Sequence, residues 1–201
     1  MMKKQNNRYN AEIVAGSLLI AESRQVIKMM VENISEKEWM DNLYADNILQ
    51  KRNPETVRRQ VRLIKKRLSV MNKDFYPLIH KGNSILVTQC LFVAAIKHSL
   101  LLGDFLQQII LEKHRTLQKQ LAITDWNKFF LNCSNIDPSI ESWADSTKKK
   151  VKQVIFRILA EAGYLNSTRE KGIIPVIIQP ALLKYLKQHK ETYIIKSISF
   201  K

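Results

Sequence analysis

The sequence predicts a mainly α protein, a multi-helix bundle ending in a winged-helix-like helix–β-hairpin–helix element. Three observations point there. Only five glycines and five prolines occur in 201 residues, so few positions interrupt a helix. Apolar residues recur at three- and four-residue spacing along most of the chain. The segments with that spacing are opened by good helix starters: Asn53 before Pro54, and Ser35 with Glu38 three residues on. With 45% hydrophobic residues the chain can bury a core. It is expected to form either one compact domain or two lobes, an N-terminal helical lobe, residues 1–120, and a C-terminal helical lobe, residues 121–201, that carries the hairpin.

A first helix is expected from Ala11 to Asn33 and a second from the capping box at Ser35. The third, residues 54 to 70, starts at Pro54 because proline at the first helical position loses no hydrogen bond it could have made. In it Val57, Val61, Ile64 and Leu68 form one apolar stripe, with Arg58, Arg59, Arg62, Lys65 and Lys66 opposite. Residues Ser84 to Leu117 are apolar on nearly every side and read as a central buried element, either two helices or one bent near Gly103. Gly103 is expected to permit a close helix approach, and Lys97 and Asp104, seven apart, to pair. Thr124 and Pro138 open two shorter helices. In the last third, Ser146 caps a helix whose buried stripe is Val151, Val154, Ile155, Ile158, Leu159 and Ala162. Gly163 ends it, "YLNST" and "IIPVII" read as two short strands around the turn "REKG", and Pro180 starts a final helix.

Charge narrows the class of partner. The formal net charge is +15, yet residues 1–50 hold six basic and seven acidic side chains, so the whole excess lies after Gln50. Between Gln50 and Leu68 eight lysines and arginines face one acid, Glu55, and the next acid is Asp74. A merely solvated helix mixes signs to gain pairs three and four residues apart. A second cationic surface is expected on the helix beginning near residue 147. Lys149, Lys152, Gln153 and Phe156 stand opposite its buried stripe, Lys148 and Lys150 lie in its first turn, and Arg169 and Lys171 lie at the tip of the wing. Consecutive lysines at a helix N-terminus oppose the macrodipole at a cost of a few tenths of a kcal/mol each, roughly. Double-stranded DNA held largely through phosphates is the expected partner. An acidic partner protein docked on a helical adaptor is the competing reading, and RNA a third.

Chemistry for catalysis is not apparent. His80, His98, His114 and His189 have no metal-ligand spacing, Cys90 and Cys133 stand apart as expected free thiols, and no glycine-rich phosphate loop occurs. No enzyme activity, metal or cofactor is expected. His98 reads as a satisfied core histidine, and Trp39, Trp126 and Trp143 as packing residues distant from basic ones. No apolar run reaches eighteen residues, so no membrane association is expected and a reducing cytoplasm fits.

The motifs "LQKRNPETVRRQVRLIKKRL", "AAIKHSLLLGDFL", Asp125–Trp126 and, above all, "STKKKVKQVIFRILAEAGYL" together resemble the BrxA family of bacteriophage exclusion (BREX) defence loci. The resemblance runs from about Tyr9 to His189 and departs at Leu100, where a basic residue is expected. It implies a small, non-catalytic, mostly helical DNA-binding protein, NusB-like in part. Such a protein would work beside other BREX proteins, among them a methyltransferase, an ATPase and a phosphatase-like protein, in phage restriction.

Overall fold

The helix that holds the first basic surface is α3, Pro54–Ser69. Asn53 caps it by accepting from the Glu55 N–H at 2.8 Å, and its stripe of Val57, Val61, Ile64 and Leu68 is buried as expected. Replacing Asn53 with alanine orphans that donor and is expected to cost about 1 kcal/mol of stability, read as a lower urea midpoint at unchanged slope. The computed structural model describes residues 7–200. The first six residues, part of the start judged too polar to span a membrane, lie outside the described residues.

Around α3 the order is α1 (Ile20–Glu32), α2 (Glu36–Met40), α4 (Tyr76–His80) and α5 (Ser84–His98), then α6 (Leu100–Phe105), α7 (Glu112–Arg115) and α8 (Ile123–Ile136). The chain closes with α9 (Asp145–Glu161), α10 (Pro180–Gln188) and α11 (Thr192–Ile198). The fold is a mainly helical bundle, as the sequence predicts. Helix α5 is its centre: residues 89–96 are buried on every side, and α1, α3, α4, α10 and α11 all pack against it. Apolar side chains from Tyr9 to Ile198 form one continuous cluster. Among the described residues no single helix is long and apolar enough to cross a membrane.

Several elements depart from the sequence expectation. The first helix does not begin at Ala11. A 3-10 turn, Glu12–Ala15, is followed by extended backbone at Gly16 and by Leu19 in the left-handed region, so helix starts only at Ile20. Arg67, buried in α3, donates to the carbonyls of Gly16 and Ser17 and holds that break open. The bend in the central element falls at Ser99, not Gly103, and turns the chain by 108°. That turn separates Lys97 from Asp104. Lys97 pairs with Glu191, while Asp104 takes Arg8 at 2.8 Å. Gly103 does serve a close approach, since a Cβ there would lie 2.4 Å from the Tyr193 hydroxyl and 3.0 Å from Ile96 Cγ2. Helix α9 starts at Asp145 after Ala144, and the Ser146 side chain makes no cap.

The expected winged-helix-like β-hairpin does not form among the described residues. Leu165 bridges Ile173, and Gln120 bridges Gly172, as isolated antiparallel pairs with no strand on either side. Asn166 takes the Gly172 N–H with its side-chain oxygen at 2.8 Å, and Pro175 has no N–H to extend the ladder. Residues 172–173 therefore lie between Tyr164–Asn166 and Lys119–Leu121, with the Ile173 N–H donating to Lys119 at 2.8 Å. Gly163 ends α9 as expected, at φ +81°, and the Tyr164 N–H donates back to the Leu159 carbonyl at 2.8 Å.

Candidate nucleic-acid interface

Helix α9 presents its basic residues because the stripe opposite them is fixed in the core: Val151, Val154, Ile155, Ile158, Leu159 and Ala162 are all buried. Lys149, Lys150, Lys152 and Gln153 line one cleft of about 590 Å³, whose far wall is the 167–171 turn with Lys171. Arg157 lines it too, and the sequence reading did not include it. The signal existed, since 149, 153 and 157 follow one another at four-residue spacing along a helix face. Five cations thus converge with no acidic side chain in the lining.

Their environments differ. Lys149, Lys150 and Arg157 are exposed, and Lys152 is half-buried. Burial, then the neighbouring positive charge of Lys171, lowers the pKa of Lys152 below its usual value. An anion entering the cleft would relieve that repulsion. The Lys152 ammonium lies 6.0 Å from the centre of the Phe156 ring. Phe156 itself is not on the open surface: it is 6% exposed and packs against Trp126 and Phe105, each at 5.8 Å between ring centres. The core reaches further around α9 than one stripe because α8 brings Trp126 to its flank.

Lys148 and Arg169 stand apart from this cleft. Lys148 donates to the Glu141 carbonyl at 2.9 Å and lies 3.9 Å from Asp145. Arg169 is exposed on the turn, its carbonyl accepting from Lys171 at 3.1 Å.

On α3, Arg58, Arg62, Lys65 and Lys66 line a second cleft of about 420 Å³. Arg59 faces an adjoining recess with Asn53 and Glu55. Arg58 pairs with Glu55 at 2.8 Å where both are exposed, an arrangement worth little. Lys66 pairs with Glu12, whose second oxygen lies 3.0 Å from His98 Nε2. The hydrogen bond from Lys66 lowers the Glu12 pKa, so that carboxylate stays charged. His98, its side chain 8% exposed, packs inward, but it is not the satisfied core histidine expected: its Nδ1 is buried without a hydrogen-bond partner among the described residues, and its pKa is lowered by burial and by Arg67.

The opposite wall of this second cleft carries Trp39 and Tyr44, and the Lys65 ammonium sits 3.8 Å over the Trp39 ring. Trp39 is therefore among basic residues, contrary to the sequence expectation. No local signal could have shown it, because α2 meets α3 only by tertiary packing.

Cys90 and Cys133 are free and buried, and burial pushes the Cys90 thiol up to about 12 and that of Cys133 up to about 11. Among the described residues no group of three or more histidine, cysteine, aspartate or glutamate side chains is placed to hold a metal ion.

The sequence matches the family model described as BrxA over residues 7–190. It is 35% identical to the BREX protein BrxA of Paramagnetospirillum magneticum, covering 95% of this chain and 96% of that protein. It is 30% identical to the BREX protein BrxA of Escherichia coli O9:H4, covering 93% and 89%. A crystal structure of an uncharacterized protein from Magnetospirillum magneticum superposes with a TM-score of 0.86 at 33% identity, over 96% of this chain and 100% of that one.

Proposed function

Because the chain belongs to the BrxA family, we propose that it serves a BREX phage-defence system as a non-catalytic component that binds duplex DNA mainly through phosphates. The observation that carries this reading is the α9 cleft, where Lys149, Lys150, Lys152, Arg157 and Lys171 converge without a counter-charge. Holding like charges together, two of them (Lys152 and Lys171) half-buried, costs stability that only an anionic partner returns. A polyanion with regularly spaced charges suits two separate cationic clefts better than a single small anion. Gln153 in the first cleft can pair with a base edge where the groove brings one near. The protein acts in the cytoplasm with other BREX proteins.

A salt titration with duplex DNA tests the reading. If about five to eight phosphates are neutralised, the slope of log affinity against log salt is roughly −4 to −7, at about 0.9 per phosphate. A flat response, or no binding at low salt, would remove the DNA reading.

One observation favours a second role as an adaptor. Ile85, Ile174 and Ile177 are 59%, 42% and 87% exposed, and Ile85 and Ile177, with Val176, border a shallow groove beside the end of α9. Clustered exposed isoleucines suit contact with a protein. Charge reversals that leave DNA binding intact yet abolish phage defence would promote the adaptor over the DNA binder.

A further inference from the structure

We infer that the cleft between α2 and α3 is a site for an unpaired nucleotide of single-stranded DNA, its base stacked on Trp39 and its phosphate held by Arg62 and Lys65. This extends the DNA reading above and rests on it.

The cleft has two chemically distinct walls. One is apolar and aromatic, with Trp39, Met40, Leu43 and Tyr44; the other is the cationic face of α3. Its volume, about 420 Å³, falls in the range of about 300–1,000 Å³ common for small-ligand sites. No acidic side chain lines it, and Arg62 makes no ion pair among the described residues.

Trp39 is held in place. Its helix starts at a capping box in which the Glu38 carboxylate accepts from the Ser35 N–H at 2.9 Å and from the Ser35 hydroxyl at 2.8 Å. Trp39 follows directly, packed against the edge of the core, and Lys65 lies across its ring. A cation on an aromatic face marks a surface of negative electrostatic potential, and one long flexible lysine can leave that face for a phosphate close by.

A flat π surface beside cations matches a nucleotide, which carries one π face and one charge. The bases of an intact duplex are stacked on one another and cannot reach a ring set into a cleft, so the occupant is an unpaired base. An acidic peptide bearing aromatic side chains is the alternative that the test must exclude.

The full chain, Trp39→Ala and Trp39→Phe are titrated against labelled oligo(dT) and a blunt duplex, with an acidic tyrosine-containing peptide as competitor. Trp39→Ala is expected to lower affinity for oligo(dT) about tenfold and affinity for the blunt duplex, which the α3 cations hold by phosphate alone, by less than about twofold, with Trp39→Phe retaining most of the affinity for oligo(dT). Irradiation of a bromodeoxyuridine-substituted oligonucleotide with the unaltered chain is expected to crosslink at Trp39, a readout independent of any variant's folding. Equal affinity of Trp39→Ala and the unaltered chain for oligo(dT), or no crosslink at Trp39, overturns the site. So does displacement of oligo(dT) by the peptide at lower concentration than by unlabelled oligo(dT), which assigns the cleft to a protein. Binding of the duplex without binding of oligo(dT) overturns this inference and leaves the duplex reading in place. Binding of neither overturns both.

Discussion

Reversing Lys149→Glu together with Lys152→Glu is expected to weaken duplex DNA binding by at least about tenfold, or about 1.4 kcal/mol. Both side chains line the α9 cleft, and the double change turns two attractions for phosphate into two repulsions in a site with no acid of its own. The salt slope should become shallower by about 0.9 for each phosphate that is no longer neutralised. Lys149 is exposed, and its replacement is expected to change stability by less than about 0.5 kcal/mol. Lys152 is half-buried, so its stem contributes packing as well as charge. The neutral pair Lys149→Gln with Lys152→Gln separates these contributions: it keeps much of each stem, and is expected to weaken binding less than the reversal does, at a closely similar urea midpoint. The corresponding α3 pair, Arg58→Glu with Arg62→Glu, is expected to weaken duplex binding as well. Most of that effect comes from Arg62, since Arg58 already has Glu55 beside it.

Asp104→Ala is expected to destabilise the fold by about 3–5 kcal/mol. Asp104 is 4% exposed and accepts from the Tyr9 hydroxyl at 2.8 Å, the Tyr193 hydroxyl at 2.7 Å and the Arg8 guanidinium at 2.8 Å. It joins the start of the described chain, the central element and α11. Alanine would leave the buried Tyr9 hydroxyl without this acceptor, at about 1–3 kcal/mol, and the half-buried Tyr193 hydroxyl with only the Leu100 carbonyl at 3.4 Å. Arg8, whose side chain is 43% exposed, can turn to water, so its share is small. Asp104→Asn preserves shape and one acceptor oxygen and should destabilise clearly less. Urea unfolding followed by circular dichroism checks both, and equal stability of Asp104→Ala and the unaltered chain would show that the hydrogen bonds to Asp104 do not hold the elements together.

The parts of the fold legible in the sequence are those governed by neighbours in the chain. The Asn53 cap, the Ser35–Glu38 capping box, the buried stripes of α3 and α9 and the glycine end at Gly163 depend on residues within a few positions of one another. Apart from the Ser146 cap, where helix already begins at Asp145, the parts that differ depend largely on distant ones. The opening helix yields to Arg67, some fifty residues away in sequence, which claims the carbonyls of Gly16 and Ser17. Lys97 and Asp104 are parted by a turn at Ser99 that no glycine or proline announces, and the expected hairpin ladder is curtailed by the side chain of Asn166. The candidate site divides in the same way. The lysines on α9 are visible as a helical face, whereas Trp39 joins the α3 cations only because α2 folds across them.

The central claim, that duplex DNA lies on the cationic clefts of α9 and α3, is tested most directly by mapping lysine reactivity. The full chain is acetylated briefly with and without duplex DNA, and modification at each lysine is read by mass spectrometry. Lys149, Lys150, Lys152 and Lys171 should be protected strongly and Lys65 measurably. Lys184, Lys187, Lys190 and Lys196, exposed on and around α10 and α11, should react as before. Protection confined to those four C-terminal lysines, or no protection at Lys149 to Lys152 while DNA is bound, would contradict the account.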